Sequence, residues 1–345
     1  MCFVDRRMPA CGTPTMPTQT FTTAAPQTRS HLTRAVLWMG LALVSFSVTA
    51  VAGREAGRTM PTNELIFWRS AFGVIVLTGI YCWRSPGIGK AGTTVLPLHL
   101  ARALVHYGAQ YSWLFALTLI PLTELFALEF TAPLWLALLA PLLLGEKLSG
   151  WRMLAAAIGF VGAIVVIEPG IFAGQLQMTV STGTLFAAAS GIGFACSMIM
   201  TKRLTRVDPP LRILFWMQVL QVGIATALLA AGGVQNGHWP LVADGTTPLQ
   251  TWLWIGVLGL SGLGAHFGLT RAFSLADAII VAPMDFLRLP LIATIGMLLY
   301  GENLRPGVMV GAAIVVIGNT INIWAERRAK QTSAPTARAQ VRRPA

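Results

Sequence analysis

Between Arg34 and Glu326 the chain is a succession of long apolar runs separated by short polar or charged joints. Ten runs can be placed, near 35–53, 64–83, 98–119, 123–144, 151–168, 180–200, 211–232, 250–273, 277–300 and 306–325. Each is close to the roughly 20 residues that carry an α-helix across a hydrocarbon core of about 30 Å. The runs are continuous rather than alternating. Backbone groups in lipid must be satisfied within their own segment, so the pattern predicts helices and not a barrel. The expected fold is an all-α polytopic membrane protein of about ten transmembrane helices.

Composition agrees with that pattern. Of 345 residues, 54% are hydrophobic and only 11% charged, against about 25% charged in a soluble domain. The net charge of +12 sits at run ends and in the tails, which favours a lipid bilayer over nucleic acid as the partner. Arg84, Lys90, Lys147, Arg152, Lys202, Arg203, Arg206 and Arg212 all fall on one side if the N-terminus is cytoplasmic, and 120–122, 169–179 and 233–249 carry no Lys or Arg. The positive-inside bias then places both termini in the cytoplasm of a cell inner membrane. Residues 1–33, Thr- and Pro-rich without an apolar leader segment, and 327–345, polar and basic, read as cytoplasmic tails. The four cysteines have no metal-ligand spacing, and no metal or cofactor is expected.

A duplication is the most informative feature. Leu142, Leu143, Gly145, Glu146, Leu148, Met153, Ala156, Ala157, Ile158 and Gly162 recur 156 positions on, as Leu298, Leu299, Gly301, Glu302, Leu304, Met309, Ala312, Ala313, Ile314 and Gly318. At the same offset Gly108–Tyr111 matches Gly264–Phe267. Earlier in each half the offset is 148, pairing Phe46 with Phe194, Arg54 with Lys202, and Phe67-Trp68 with Phe215-Trp216. Helices 1–5 therefore repeat as helices 6–10, and because five is odd the two halves enter the membrane from opposite sides. Many secondary transporters are built this way, with the substrate held between the halves near the midplane.

The paired Gly-Glu at 145–146 and 301–302, each followed by a helix rich in small residues, resembles the EamA-type branch of the drug/metabolite transporter superfamily. The resemblance covers about 35–325. It implies two inverted five-helix repeats, here 34–168 and 178–326, a central cavity, and gradient-driven export or uptake of a small organic metabolite. It does not imply a particular substrate.

Ionisable residues within the runs are the candidates for function, because they are costly in lipid and face a cavity or a partner. Glu129 and its repeat counterpart Asp285 open the same local pattern, Glu129-Phe130 and Asp285-Phe286, which suggests a pair near the pseudo-twofold axis able to bind a proton or cation. A structural pairing is the alternative, with Arg288 one turn beyond Asp285. Arg69, matched by Met217, breaks the symmetry. It is expected to pair with Glu129, to bind an anionic substrate group, or to snorkel to the headgroups. His106 and His266 are candidate proton carriers, the first sharing a helix face with Arg102. Tyr107, Tyr111, Phe130 and Phe286 could stack on a flat solute. Pro133, Pro141, Pro283 and Pro290 should kink helices 4 and 9 at corresponding places. Glu146 and Glu302, at membrane boundaries, are expected to cap helices or stabilise a gate. Gly159, Gly162, Gly311 and Gly318 suggest close helix packing, with a homodimer as one outlet.

These features predict a secondary active transporter working by alternating access and coupled to protons, with export slightly favoured over uptake. A membrane enzyme would need a catalytic carboxylate pair or a motif such as HExxH, and an ATP-driven pump a complete Walker A sequence; Gly87-Ile88-Gly89-Lys90 lacks the upstream glycine spacing and the Ser/Thr. A passive facilitator or channel remains the other alternative.

Overall fold

A computed structural model describes residues 29–84, 92–144, 150–167, 180–232, 248–275 and 284–333. Its helices are α1 (Arg29–Ala56), α2 (Thr62–Arg84), α3 (Leu96–Leu119), α4 (Leu122–Glu129), α5 (Ala132–Leu144), α6 (Gly150–Ile167), α7 (Thr182–Leu204), α8 (Pro210–Ala231), α9 (Leu249–Leu275), α10 (Arg288–Tyr300) and α11 (Pro306–Ser333). Among the described residues there is no strand. Among the described residues eight stretches are long and apolar enough to cross a membrane: α1, α2, α4 with α5, α6, α7, α8, α9 and α11. Two of the ten expected runs stand apart from these. The third is α3, whose buried His99, Arg102, His106 and Gln110 dilute its apolar character. The ninth is described only from residue 284 on, and its helix α10 has 13 residues. α1 and α11 extend beyond the apolar runs, into residues placed by the sequence in the tails.

The packing pairs the two halves reciprocally. α1 lies along α9 and α7 along α3, while α2 crosses its counterpart α8 and α6 packs on its counterpart α11. The outer surface is apolar, with Leu37, Ile75 and Leu298 at 67%, 70% and 76% exposure, whereas Ser70, Ser190 and Gln221 are wholly buried. That inversion of the soluble pattern is what lipid as solvent demands.

The helix contacts repeat as the sequence does. Ser70 Oγ donates to Gln221 Oε1 at 3.1 Å. At the equivalent contact of the other half, a Cβ on Gly73 would meet Gln218 Nε2 at 2.5 Å. A Cβ on Gly162 would stand 2.7 Å from Gly311 O and Val315 N, and one on Gly318 would stand 2.8 Å from Ala155 O and Gly159 N. The glycines that suggested a dimer are thus occupied within the chain, where they let two helix backbones touch.

The predicted helix 4 is divided. α4 stops at Glu129, Phe130 and Thr131 form the break, and α5 resumes at Ala132. Pro133 has no N–H to donate, and two asparagines of α11 meet the exposed carbonyls: Asn319 Nδ2 donates to Phe130 O at 2.7 Å and Asn322 Nδ2 reaches Pro133 O at 3.5 Å. Every residue from Leu122 to Leu128 is buried, so α4 is a short internal helix enclosed by α3, α6, α7, α10 and α11. Position 141 lies within α5 and Pro290 within the first turn of α10. Pro283, Gly145 and Glu146 lie outside the described residues.

Candidate substrate and coupling site

The break after α4 presents Glu129 to the start of α10. Arg288 Nη2 lies 3.2 Å from Glu129 Oε1 and 3.5 Å from Asp285 Oδ2, so one guanidinium faces the carboxylates of both repeats. Trp113 Nε1 donates to the other oxygen of Glu129 at 2.7 Å. Phe130 and Phe286, counterparts in the repeat, meet edge-on with centroids 5.6 Å apart. The guanidinium also sits over Phe46, Phe126 and Phe130 at 4.6, 5.1 and 4.9 Å. Such contacts contribute about 2 kcal/mol each when desolvated, and they hold the cation where burial alone would disfavour it. With both carboxylates ionised the triad has a net charge of −1, and one added proton neutralises it. Of its three charges, Arg288 has no counterpart: the equivalent position is Ala132.

A second polar region lies between α2, α3, α7, α8 and α9. Arg69 is 7% exposed and is not ion-paired with Glu129, whose partner is Arg288; its Nη1 is buried without a hydrogen-bond partner. Arg102 Nε donates to Thr201 Oγ1 at 2.6 Å, and one turn on His106 Nδ1 lies 3.2 Å from Ser197 Oγ. His266 rests edge-on against Phe46, centroids 5.7 Å apart. Gln221 joins Ser70 to Gln110, its Nε2 donating to Gln110 Oε1 at 2.9 Å. Tyr107 donates to Asn63 Oδ1 at 2.9 Å, and Tyr111 stacks on Phe115 with centroids 6.0 Å apart.

Both ends of the bundle carry an interlock between the halves. At one end Arg54 of α1 is ion-paired with Glu302 of the α10–α11 joint, donates from Nε to Leu117 O at 2.8 Å, and bonds Ile120 O. Glu302 Oε2 accepts from Leu122 N at 2.9 Å, capping α4 of the other repeat rather than the helix that follows it. Gly301, at φ 62°, ends α10 in the left-handed turn that aims Glu302 inward. These residues floor a cleft of about 340 Å³ that also includes Arg58, Thr118 and Tyr300. At the other end Asp208, in the α7–α8 joint, accepts from Thr93 at 2.6 Å and Arg212 at 2.7 Å, and lies 2.8 Å from His99 Nε2 of α3. Burial pushes the Asp208 carboxyl up, but the bonds from His99, Thr93 and Arg212 outweigh it and hold its pKa at about 2. Among the described residues no cluster of His, Cys, Asp and Glu could hold a metal ion.

The profile of the EamA-like transporter family matches the chain twice, over residues 33–168 and 181–324. The chain belongs to that family. It is 29% identical to a riboflavin transporter of Brucella anthropi over 280 residues, covering 81% of this chain and 94% of the relative. An S-adenosylmethionine uptake transporter of Rickettsia bellii is 26% identical, with 85% and 94% covered. A pseudopaline exporter of Pseudomonas aeruginosa is 25% identical, with 83% and 96% covered. One crystal structure aligns with a TM-score of 0.56 at 19% identity, covering 86% of this chain and 99% of that one, a likeness of fold. The protein is thus an EamA-like, multi-pass membrane protein of two repeats, related over most of its length to transporters of small molecules.

Within this EamA-like frame, sequence reasoning missed several participants. Nothing in the sequence marks Trp113, and Arg288 enters there only as a partner for Asp285. Asp208 and His99 carried no pattern at all, since their contact spans 109 positions. Arg54 held the one usable signal, a basic residue on the side that the positive-inside bias leaves without charge.

Proposed function

We propose that this EamA-like protein is a secondary active transporter of the inner membrane, with both termini cytoplasmic, which moves a small organic metabolite by alternating access in exchange for protons. The observation that carries this reading is the Glu129–Arg288–Asp285 triad, where the carboxylates of two repeats share one cation. A proton taken up from either side cancels the net charge of the triad and loosens the hold of Arg288 on one carboxylate. The element released is the junction of α4 or of α10, the segments that join the triad to the rest of each repeat. The two interlocks supply the gates: opening Arg54–Glu302 while Asp208–His99 stays closed exposes the centre on one side, and the reverse exposes it on the other. The named cargoes of the relatives, moved in both directions, support an organic metabolite as substrate, and the direction follows the gradient.

The test is reconstitution in liposomes with riboflavin and S-adenosylmethionine among the probes, with and without an imposed pH gradient. Gradient-driven accumulation that collapses with a protonophore is expected. Glu129→Gln should abolish accumulation while preserving exchange of labelled for unlabelled solute. An unchanged rate and pH dependence in that variant refutes proton coupling through Glu129, and saturable flux indifferent to the gradient identifies a facilitator instead.

A further inference from the structure

Arg69 is the interior charge that the fold does not account for. It is the eighth residue of α2, 7% exposed, with Nη1 buried and unpartnered. Among the described residues no carboxylate forms an ion pair with it. The polar region it belongs to also holds Arg102, bonded to Thr201, His106, beside Ser197, and His266, against Phe46. Burying a cation without a partner is unfavourable. Packing does not need the residue either. Its repeat counterpart Met217 is 2% exposed, so an unbranched apolar side chain fills the equivalent place. Ser70, the next residue of α2, begins a neutral polar chain through Gln221 to Gln110, and Gln218 Oε1 is buried without a partner.

The interior is therefore bipolar. One pole holds the two carboxylates against Arg288, and the other holds Arg69 and Arg102 with no compensating carboxylate among the described residues. We propose that Arg69 is a specificity-determining residue that receives the carboxylate or phosphate of an anionic or zwitterionic metabolite, whose opposite end faces Glu129 and Asp285. A guanidinium suits this role because its fork matches both oxyanions in bidentate fashion. The polar chain that starts at the adjacent Ser70 and runs through Gln221 to Gln110 offers groups for the remaining hydrogen bonds of the solute. This inference rests on the transport reading for the identity of its ligand as a solute, but binding is read without a gradient, so failure of either can be told from failure of the other.

The experiment measures thermal melting of purified full-length protein and of Arg69→Met in neutral detergent. The probes are riboflavin against riboflavin 5′-phosphate, S-adenosylmethionine against its decarboxylated form, and phosphatidylglycerol as an anionic lipid. The phosphate- or carboxylate-bearing member of at least one pair should bind the wild type tenfold or more tightly than its partner. Arg69→Met should melt no lower than wild type without ligand, lose that preference, and keep its binding of the neutral or decarboxylated member. The proposal is overturned if Arg69→Met melts well below wild type, which makes the arginine structural, or if it retains the preference. It also fails if neither the phosphate- nor the carboxylate-bearing probe shifts the wild type, or if only phosphatidylglycerol does, which assigns the pole to lipid.

Discussion

The Arg54–Glu302 interlock gives a prediction whose size can be worked out. Both side chains are close to nine-tenths buried, at 12% and 11% exposure, and Glu302 also receives Leu122 N at 2.9 Å. Glu302→Gln keeps an acceptor for that amide but leaves the Arg54 cation facing two carbonyls without its counter-charge. Removing one partner of a fully buried pair costs about 3–5 kcal/mol. Because this pair borders an open cleft, about 2–3 kcal/mol is the appropriate range. If the pair exists only when this side of the bundle is closed, that energy moves the closed-to-open ratio by about 30- to 150-fold. Ala50, wholly buried and one turn before Arg54 in the cluster with Ile66 and Leu117, reports the opening. In a background with its native cysteines replaced, Ala50→Cys should react with an impermeant maleimide about 30- to 150-fold faster once Glu302→Gln is added. Adding Arg54→Gln as well should bring the rate back toward that of the parent, since no buried charge is then left alone. Labelling that changes less than twofold in the single variant, or additively in the double, refutes the pair as a gate.

Two further outcomes follow from contacts already described. Gly162→Ala places a methyl 2.7 Å from backbone atoms of α11 and should lower stability by about 1–3 kcal/mol in a detergent melt, while Gly256→Ala, with nothing within 4 Å, should be neutral or slightly stabilising. The Asp208 pKa of about 2 lies below its ordinary 3.8; a depressed carboxylate contributes fully above the higher value and loses its contribution as pH falls through the lower. Wild type should therefore lose thermal stability between about pH 4 and pH 2, and Asp208→Asn, already deprived of that contribution, should show a shallower slope over the same window.

Much of the architecture was legible because lipid imposes a coarse rule that hydropathy obeys, and because gene duplication wrote the same segment twice. Phe130 and Phe286 meet in space as their shared register suggests. The division of helix 4 was signalled by Pro133, but where the break falls depends on Asn319 and Asn322, which lie 189 positions away. Arg69 illustrates the limit. Its position two turns into α2 is as compatible with snorkelling as with burial, and the burial of its side chain depends on packing that α2 makes with distant helices such as α8. The His99–Asp208 interlock was invisible for a similar reason, since neither residue has a counterpart of its own kind in the other repeat.

The backbone contact between α6 and α11 also restricts how this protein can move. Two helices that touch through Gly162, Gly311 and Gly318 have no side-chain layer to slide upon, and axial displacement would drive Val166, Val315 or Ile314 into main-chain atoms. Rotation about the point of contact meets no such obstacle. The seam is thus a fulcrum, and a few degrees of tilt there become displacements of about 1–2 Å at the far ends of helices whose rise is about 1.5 Å per residue.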